Sequence, residues 1–279
     1  MNVLIYIGDM VTDLPGLFIG AMIARNLGAE VTLLNVFPKD KKRRQGQNEG
    51  EIILEQAAKE IPDIEVKTSI RRGSVVKRIM DEVYESKIDM VVITSSRIGG
   101  YPRRESVSKD KLRQISCSVV IARNPKDDIK HILMLTGGLR VSESMIEIGA
   151  ELACSLNAKM TLMHVTANVP SMYTGLETIE ETLEELLQTD TPVAKHLRKC
   201  AQVLDNLNVS SEIKLKHGEP VYEIIKEVDE GNYDFMIIGA SGATTPLKEW
   251  FLRNVTKDVI DLVGIPIMVV NQDHARRIN

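Results

Sequence analysis

Ile19-Gly20-Ala21 recurs as Ile148-Gly149-Ala150, and the recurrence runs on in both directions at one fixed spacing. At an offset of 129 residues Leu4 meets Leu133, Gly8 meets Gly137, Ala24 meets Ala153, Leu27 meets Leu156, Thr32-Leu33 meets Thr161-Leu162 and Val36 meets Val165. Further along the offset becomes 145, matching Gly73 to Gly218, Val76 to Val221, Ile79 to Ile224, Glu82-Val83 to Glu227-Val228 and Asp89 to Asp234. Near the end of each half it becomes 148, matching Val107 to Val255 and Lys109-Asp110 to Lys257-Asp258. The jumps mark insertions in the second copy, 16 residues in its middle and 3 in its late loop. A period this long belongs to duplicated whole domains, because solenoid units run to about 20 to 50 residues.

Each copy alternates short apolar runs with amphipathic stretches. In the first, Val3 to Ile7 reads as a buried strand, and Leu17, Phe18, Ala21, Met22, Ala24 and Leu27 recur at helical spacing. Val31 to Val36 is a second strand, Glu49 to Glu60 a helix, Ile64 to Ile70 a third strand and Val75 to Glu85 a helix. Met90 to Ile93 is a fourth strand, Val107 to Gln114 a last helix and Ser118 to Ala122 a fifth strand. Runs such as Val91-Val92-Ile93 and Phe235-Met236-Ile237-Ile238 are apolar on both faces, which fits parallel strands covered by helices on both sides. The fold class is therefore α/β: two doubly wound five-strand parallel-sheet domains of Rossmann-like type. The expected domains are 1–124 and 131–279, joined by a linker at 125–130 that follows Asn124 and opens on Pro125. The fifth strands, Ser118 to Ala122 and Pro266 to Val270, are expected at sheet edges, paired with each other or with a second chain.

A chain of 279 residues with 43% hydrophobic and 27% charged residues suits two soluble domains, each burying its own core. A net charge of -4 gives no general electrostatic reason to bind nucleic acid. The densest basic run, Lys41-Lys42-Arg43-Arg44, reads as a solvated, mobile loop in preference to a phosphate-binding patch. Asn2 to Ile7 is only strand length, so no signal peptide is expected. No 18 apolar residues run together, so no membrane span is expected and the location read is cytoplasmic. Cys117, Cys154 and Cys200 lack CxxC spacing and read as reduced core or near-core thiols.

Ligands of such sheets sit beyond the carboxyl ends of the strands, where strand order reverses. Beyond strand 4 of the second copy stands Gly239-Ala240-Ser241-Gly242, and Arg253-Asn254-Val255-Thr256 opens the last helix. Glycines there admit backbone amides to a phosphate, and a helix mouth adds donors and a favourable dipole. The plainer reading is a strand-to-helix turn with an Asn or Thr cap.

On these residues the chain resembles the universal stress protein family in tandem form, over roughly 3–124 and 131–271. The resemblance implies a five-strand parallel sheet per domain. It also implies, for many members, ATP held by an Asp after strand 1, a Val ending strand 2 and a G-x2-G-x9-G-[ST] element after strand 4. The second copy keeps Gly239 and Gly242, Val165 at the strand 2 position, and Asn254-Val255-Thr256 where the family has Ser-Val-[ST]. Its loop from Ala243 to Leu252 is one residue too long, Arg253 replaces the final glycine, and Gly138, beside Gly137 and Thr136, takes the Asp position. The first copy keeps Asp9 and Val36, but Thr94 and Arg97 replace the two glycines and Glu105 the last one. A glutamate beside a triphosphate repels it, so the first copy retains the nucleoside half of the element and the second the phosphate half.

The resemblance thus implies a non-catalytic stress-response or regulatory protein that binds an adenine nucleotide, ATP or AMP, in its second domain, with the two domains packed as an intramolecular pseudo-dimer. The edge strands could also form a homodimer. The alternatives are a nucleotide-free interaction scaffold and a slow ATP hydrolase. Other constellations point nowhere stronger. Thr136-Gly137-Gly138 lacks the Asp and Ser of an adenylating SGGxDS loop. His131, His164, His196, His217 and His274 show no metal spacing, and His164 reads as a structural imidazole. Glu180, Glu181, Glu184 and Glu185 read as a solvated acidic face, and Trp250-Phe251 as a buried pair or an interface.

Overall fold

Apolar runs and helix punctuation place the elements. The computed structural model describes residues 1–97, 115–136, 143–166, 182–239 and 255–271. Its first unit comprises Met1–Asp127 and Gly264–Asn279, its second Asp128–Val263.

In the first unit the strands are β1 (Asn2–Tyr6), β2 (Glu30–Phe37), β3 (Val66–Arg72), β4 (Met90–Thr94) and β5 (Ser118–Ala122), with β10 (Ile267–Val270) from the end of the chain. Their order is β3-β2-β1-β4-β5-β10. The first five are parallel, with Ile5 opposite both Leu33 and Val92, and Val92 opposite Val120. β4 and β5 are buried throughout, as their lack of alternation requires. β10 runs antiparallel to β5, Ile267 facing Ile121 and Val269 facing Val119, so the edge expected for the fifth strand is closed by the fifth strand of the second copy. Asn124 and Asn271 tie the two ends, their amides donating to the carbonyls of Gly264 and Ile115 at 2.9 and 3.0 Å.

Helix α1 (Leu14–Leu27) starts with a proline in its first turn and ends at Gly28, whose φ of 60° sends its amide back to the Ala24 carbonyl. α3 (Val75–Glu85) turns Val75, Val76, Ile79 and Val83 inward together with the carboxylate of Glu82. α2 (Arg43–Glu60) starts six residues before the expected Glu49. Its first turns face the sheet with glycines instead of apolar side chains: a Cβ on Gly46 would stand 2.3 Å from the Phe37 ring, and one on Gly50 3.0 Å from Asn35 Oδ1. The basic run is accordingly no loop throughout, since Arg43 and Arg44 are helical. β3 sits two residues later than the expected Ile64 to Ile70 and takes in Arg71, whose guanidinium lies 2.8 Å from buried Glu82.

The second unit repeats the plan with β6 (His131–Leu135), β7 (Lys159–Thr166), β8 (Ser211–His217) and β9 (Phe235–Gly239), parallel and in the order β9-β6-β7-β8. Its helices are α4 (Glu143–Leu156), α5 (Leu183–Gln188), α6 (Pro192–Asn206), α7 (Pro220–Glu230) and a last one over 255–262. α5 belongs to the insertion and opens on a capping box, with Thr182 and Glu185 each accepting the other's amide. Glu185, exposed as expected, is thus also a cap. α5 and α6, the latter the counterpart of α2, bury Leu186, Ala194 and Leu197 against Ile213 and Leu215 of β8.

Candidate functional site at the carboxyl ends of the strands

Strand order reverses around β1 in the first unit and around β6 in the second, which places the crevice beyond the ends of β1, β2 and β4, or β6, β7 and β9. In the second unit Leu135 faces Met163 on one side and Ile238 on the other, so Val165 and Gly239 end up just past the same row. Thr256, in the first turn of the last helix, is buried, as is Val255 beside it. Gly137, Gly138, Gly242, Arg253 and Asn254 lie outside the described residues, as do Glu105, the helix expected over Val107 to Gln114, Glu180-Glu181 and Trp250-Phe251.

Gly239 is small for a packing reason: a Cβ there would stand 3.0 Å from Met145 Sδ of α4. The equivalent residues of the first unit, 145 and 129 positions earlier, are Thr94 and Gly16, and a Cβ on Gly16 would stand 2.7 Å from Thr94 Oγ1. Thr94 is buried, and its hydroxyl has no hydrogen-bond partner among the described residues.

In the first unit, Asp9 Oδ1 accepts from the amides of Val11 and Thr12 at 3.0 and 2.7 Å, closing an Asx-type turn. Asp13, fully buried, accepts from the amides of Gly8 and Asp9 at 2.7 and 3.1 Å and so carries the loop from below. Asp13 escaped the sequence reading, although an acid ahead of Leu14-Pro15 is a helix-start signal. Val36 is buried in β2 opposite Arg71.

One polar tie occurs in both units. Asn35 Nδ2 donates to the Ile7 carbonyl at 2.7 Å, and at the equivalent positions His164 Nδ1 lies 2.8 Å from the Thr136 carbonyl. A carbonyl only accepts, so Nδ1 carries the hydrogen. Burial lowers the pKa of His164 and keeps the ring neutral, in keeping with a structural imidazole. Among the described residues no group of three or more His, Cys, Asp or Glu side chains could hold a metal ion.

The family model described as "Universal stress protein family" matches residues 1–123 and again 128–271. The chain belongs to the universal stress protein family. It is similar in structure to a universal stress protein from Archaeoglobus fulgidus, at a TM-score of 0.68 and 15% identity, over 98% of this chain and 97% of that one. A putative universal stress protein from Pseudomonas aeruginosa gives a TM-score of 0.65 at 16% identity, over 99% and 95%. No curated protein sequence matches. At such identities the likeness establishes the fold, and the double match establishes two family domains in one chain. No helix among the described residues is long and apolar enough to cross a membrane.

Of the residues that the family resemblance assigns to nucleotide, the described ones lie near strand ends, in the loop after β1 and at a helix start. Gly239 lies one position and Val165 two positions past the row of Leu135, and Val255 and Thr256 stand at a helix start. Asp9 and Val36 hold the matching places in the first unit, where Thr94 fills the position that Gly239 leaves small.

Proposed function

We propose that this is a non-catalytic regulatory protein of the stress response, whose second unit binds an adenine nucleotide, ATP or AMP, beyond the carboxyl ends of β6, β7 and β9. The observation that carries this reading is the convergence of Val165 and Gly239 on the two strands flanking β6, at the point where strand order reverses. Gly137, Gly138 and Gly242 would admit the phosphates to backbone amides, and Asn254, Val255 and Thr256 would offer the mouth of the last helix. Arg253 would add charge. The first unit is the weaker site, since Thr94 occupies the place of a glycine and Asp9 is drawn into its own turn. The domains, 1–124 and 131–279, would form an intramolecular pseudo-dimer in the cytoplasm, a reading supported by the pairing of β5 with β10.

Calorimetric titration of the full chain with ATP, AMP and adenosine tests the reading. Saturable binding of at least one nucleotide is expected, without turnover. Absence of all binding would leave the interaction scaffold, and ATP hydrolysis that disappears in Thr256→Ala would make the protein an enzyme.

A further inference from the structure

A cleft of about 290 Å³ opens in the first unit beyond the ends of β2 and β3, lined by Phe37, Arg43, Gln47, Ile70, Arg71, Arg72 and Arg78. Four arginines and no acid face it. Two of them have carboxylate partners that do not line the cleft: Arg71 pairs with Glu82 and Glu85 at 2.8 and 2.6 Å, and Arg78 with Asp81 at 2.6 Å. The other two bring charge without a counter-charge. Arg72 donates to the neutral carbonyl of Lys39, and Arg43, exposed in the first turn of α2, has no ion-pair partner among the described residues.

The duplication supplies an internal comparison. Val36 and Phe37 face Arg71 and Arg72 across β2 and β3, as Val165 and Thr166 face Lys216 and His217 across β7 and β8. Gly73 and Gly218 follow at φ values of 141° and 152°, each sending its amide to the strand alongside, Gly73 to the Phe37 carbonyl and Gly218 to that of Thr166. From there the two units part in charge. Arg78 folds back over Gly73, its Nε 3.1 Å from where a Cβ would stand, whereas the residue folded over Gly218 is Glu223, with Oε1 at 2.8 Å. In the second unit the mouth of α7 is occupied by the chain's own anion, the Glu219 carboxylate, which accepts from the amides of Val221 and Tyr222 at 3.2 and 2.7 Å. Ser74 stands at that place in the first unit, and its side chain makes no cap. The same corner of the fold is therefore internally neutralised in one copy and left cationic in the other.

We propose that the arginine cleft of the first unit binds a compact polyanion carrying two or more linked phosphoryl groups, at a site separate from the nucleotide site of the second unit. Guanidinium forks match phosphate oxygens bidentately, and several around one cleft favour a chain of phosphates over a single anion. Phe37 and Ile70 form the apolar part of the lining. The phosphates could be those of inorganic polyphosphate or of a nucleoside polyphosphate, so titrations of the full chain use sodium tripolyphosphate, ATP, adenosine and sulfate separately. Saturable binding of tripolyphosphate is expected, weakened by added salt, with sulfate at least about tenfold weaker. The joint substitution Arg43→Ala and Arg72→Ala touches no ion pair of the described residues and should raise the tripolyphosphate dissociation constant about a hundredfold, about tenfold for each arginine. Arg43→Gln alone, at an exposed helical position, covers the case in which the joint variant does not fold, and should raise it about tenfold. Lys216→Ala with His217→Ala, the equivalent change in the second unit, should leave binding unaltered. Adenosine binding should be indifferent to the arginine changes, and parallel behaviour of ATP and tripolyphosphate would identify the nucleoside polyphosphate as a ligand of the cleft. The proposal is overturned by an absence of saturable tripolyphosphate binding, by full binding in the arginine variants, or by loss in Thr256→Ala instead.

Discussion

Gly16 and Thr94 pack against each other with no room for a Cβ on the glycine, and the duplicated pair Met145 and Gly239 packs with the sizes exchanged. The contact between the first helix of each unit and the end of its fourth strand is thus kept by one large and one small residue, whichever element supplies which. Gly16→Ala should destabilise the protein by about 1 to 3 kcal/mol through overpacking. In a Thr94→Ala background the same change should cost nothing or stabilise slightly, because the helix then gains alanine in place of glycine. Urea unfolding of the two single variants and the double variant measures the coupling, and additive effects would refute the contact.

Glu227 is the buried acid around which the second unit's charges are arranged, as Glu82 is in the first. It receives Lys214 at 2.7 Å, Lys216 at 2.9 Å and the Tyr233 hydroxyl at 2.7 Å. Burial alone would raise its pKa, but these donors together outweigh burial and bring it from the ordinary 4.5 down to about 2. Its stabilising effect is therefore complete above pH 4.5 and is lost as pH falls towards about 2. Glu227→Gln should cost about 1 to 3 kcal/mol at neutral pH, less than a fully buried pair because both lysines keep a third of their surface in water. It should also flatten the fall in urea midpoint between pH 4.5 and 2; an unchanged acid profile would contradict the assignment.

The three thiols should separate by reactivity. Burial pushes Cys117 and Cys200 up to about 12, so at pH 8 only about one in ten thousand of either is thiolate, while Cys154 is exposed on α4. One thiol per native chain is expected to react promptly with a thiol reagent and all three after unfolding, and two fast thiols would show the buried assignment to be wrong. The sequence had placed all three in or near the core; Cys154 sits in an apolar stretch but on the outer face of its helix.

What the sequence could show was whatever rests on periodicity. Ser118 to Ala122 and Val75 to Glu85 read correctly to the residue because an unbroken apolar run and a clean helical stripe leave no other phase. The start of α2 was hidden because Gly46 and Gly50 face the sheet, with the Phe37 ring and the side chains of Asn35 and Ile70 in the space their side chains would need. The strand-end positions of Val36, Val165 and Gly239, on which the candidate site rests, were legible through the resemblance. The arginine cleft was not, since its arginines come from α2, β3 and α3 and only folding brings them together. Asp13 lay between, a helix-start acid whose downward reach to the Gly8 and Asp9 amides no local pattern announces.

If nucleotide binds in the second unit, Gly242→Asp should abolish it by setting a carboxylate where phosphate approaches, while Arg97→Asp in the first unit should leave affinity unchanged. Equal loss from the two would show that the wrong copy has been assigned, and calorimetry with ATP reads both.

By the family resemblance Arg253 takes the position of the last glycine, two residues ahead in sequence of the described helix that begins at Val255, and a helix start favours an anion. If its guanidinium contacts the phosphates, a charge-assisted contact of about 1.5 to 3 kcal/mol is at stake. Arg253→Ala should then weaken ATP binding about ten- to a hundredfold and adenosine binding hardly at all. If instead the arginine pairs with a nearby acid such as Glu249 or Asp258, or fills the pocket itself, restoring the family's residue in Arg253→Gly should strengthen ATP binding. Titration of the wild type and both variants with ATP separates the two roles, and a gain of affinity in the glycine variant refutes the compensating one.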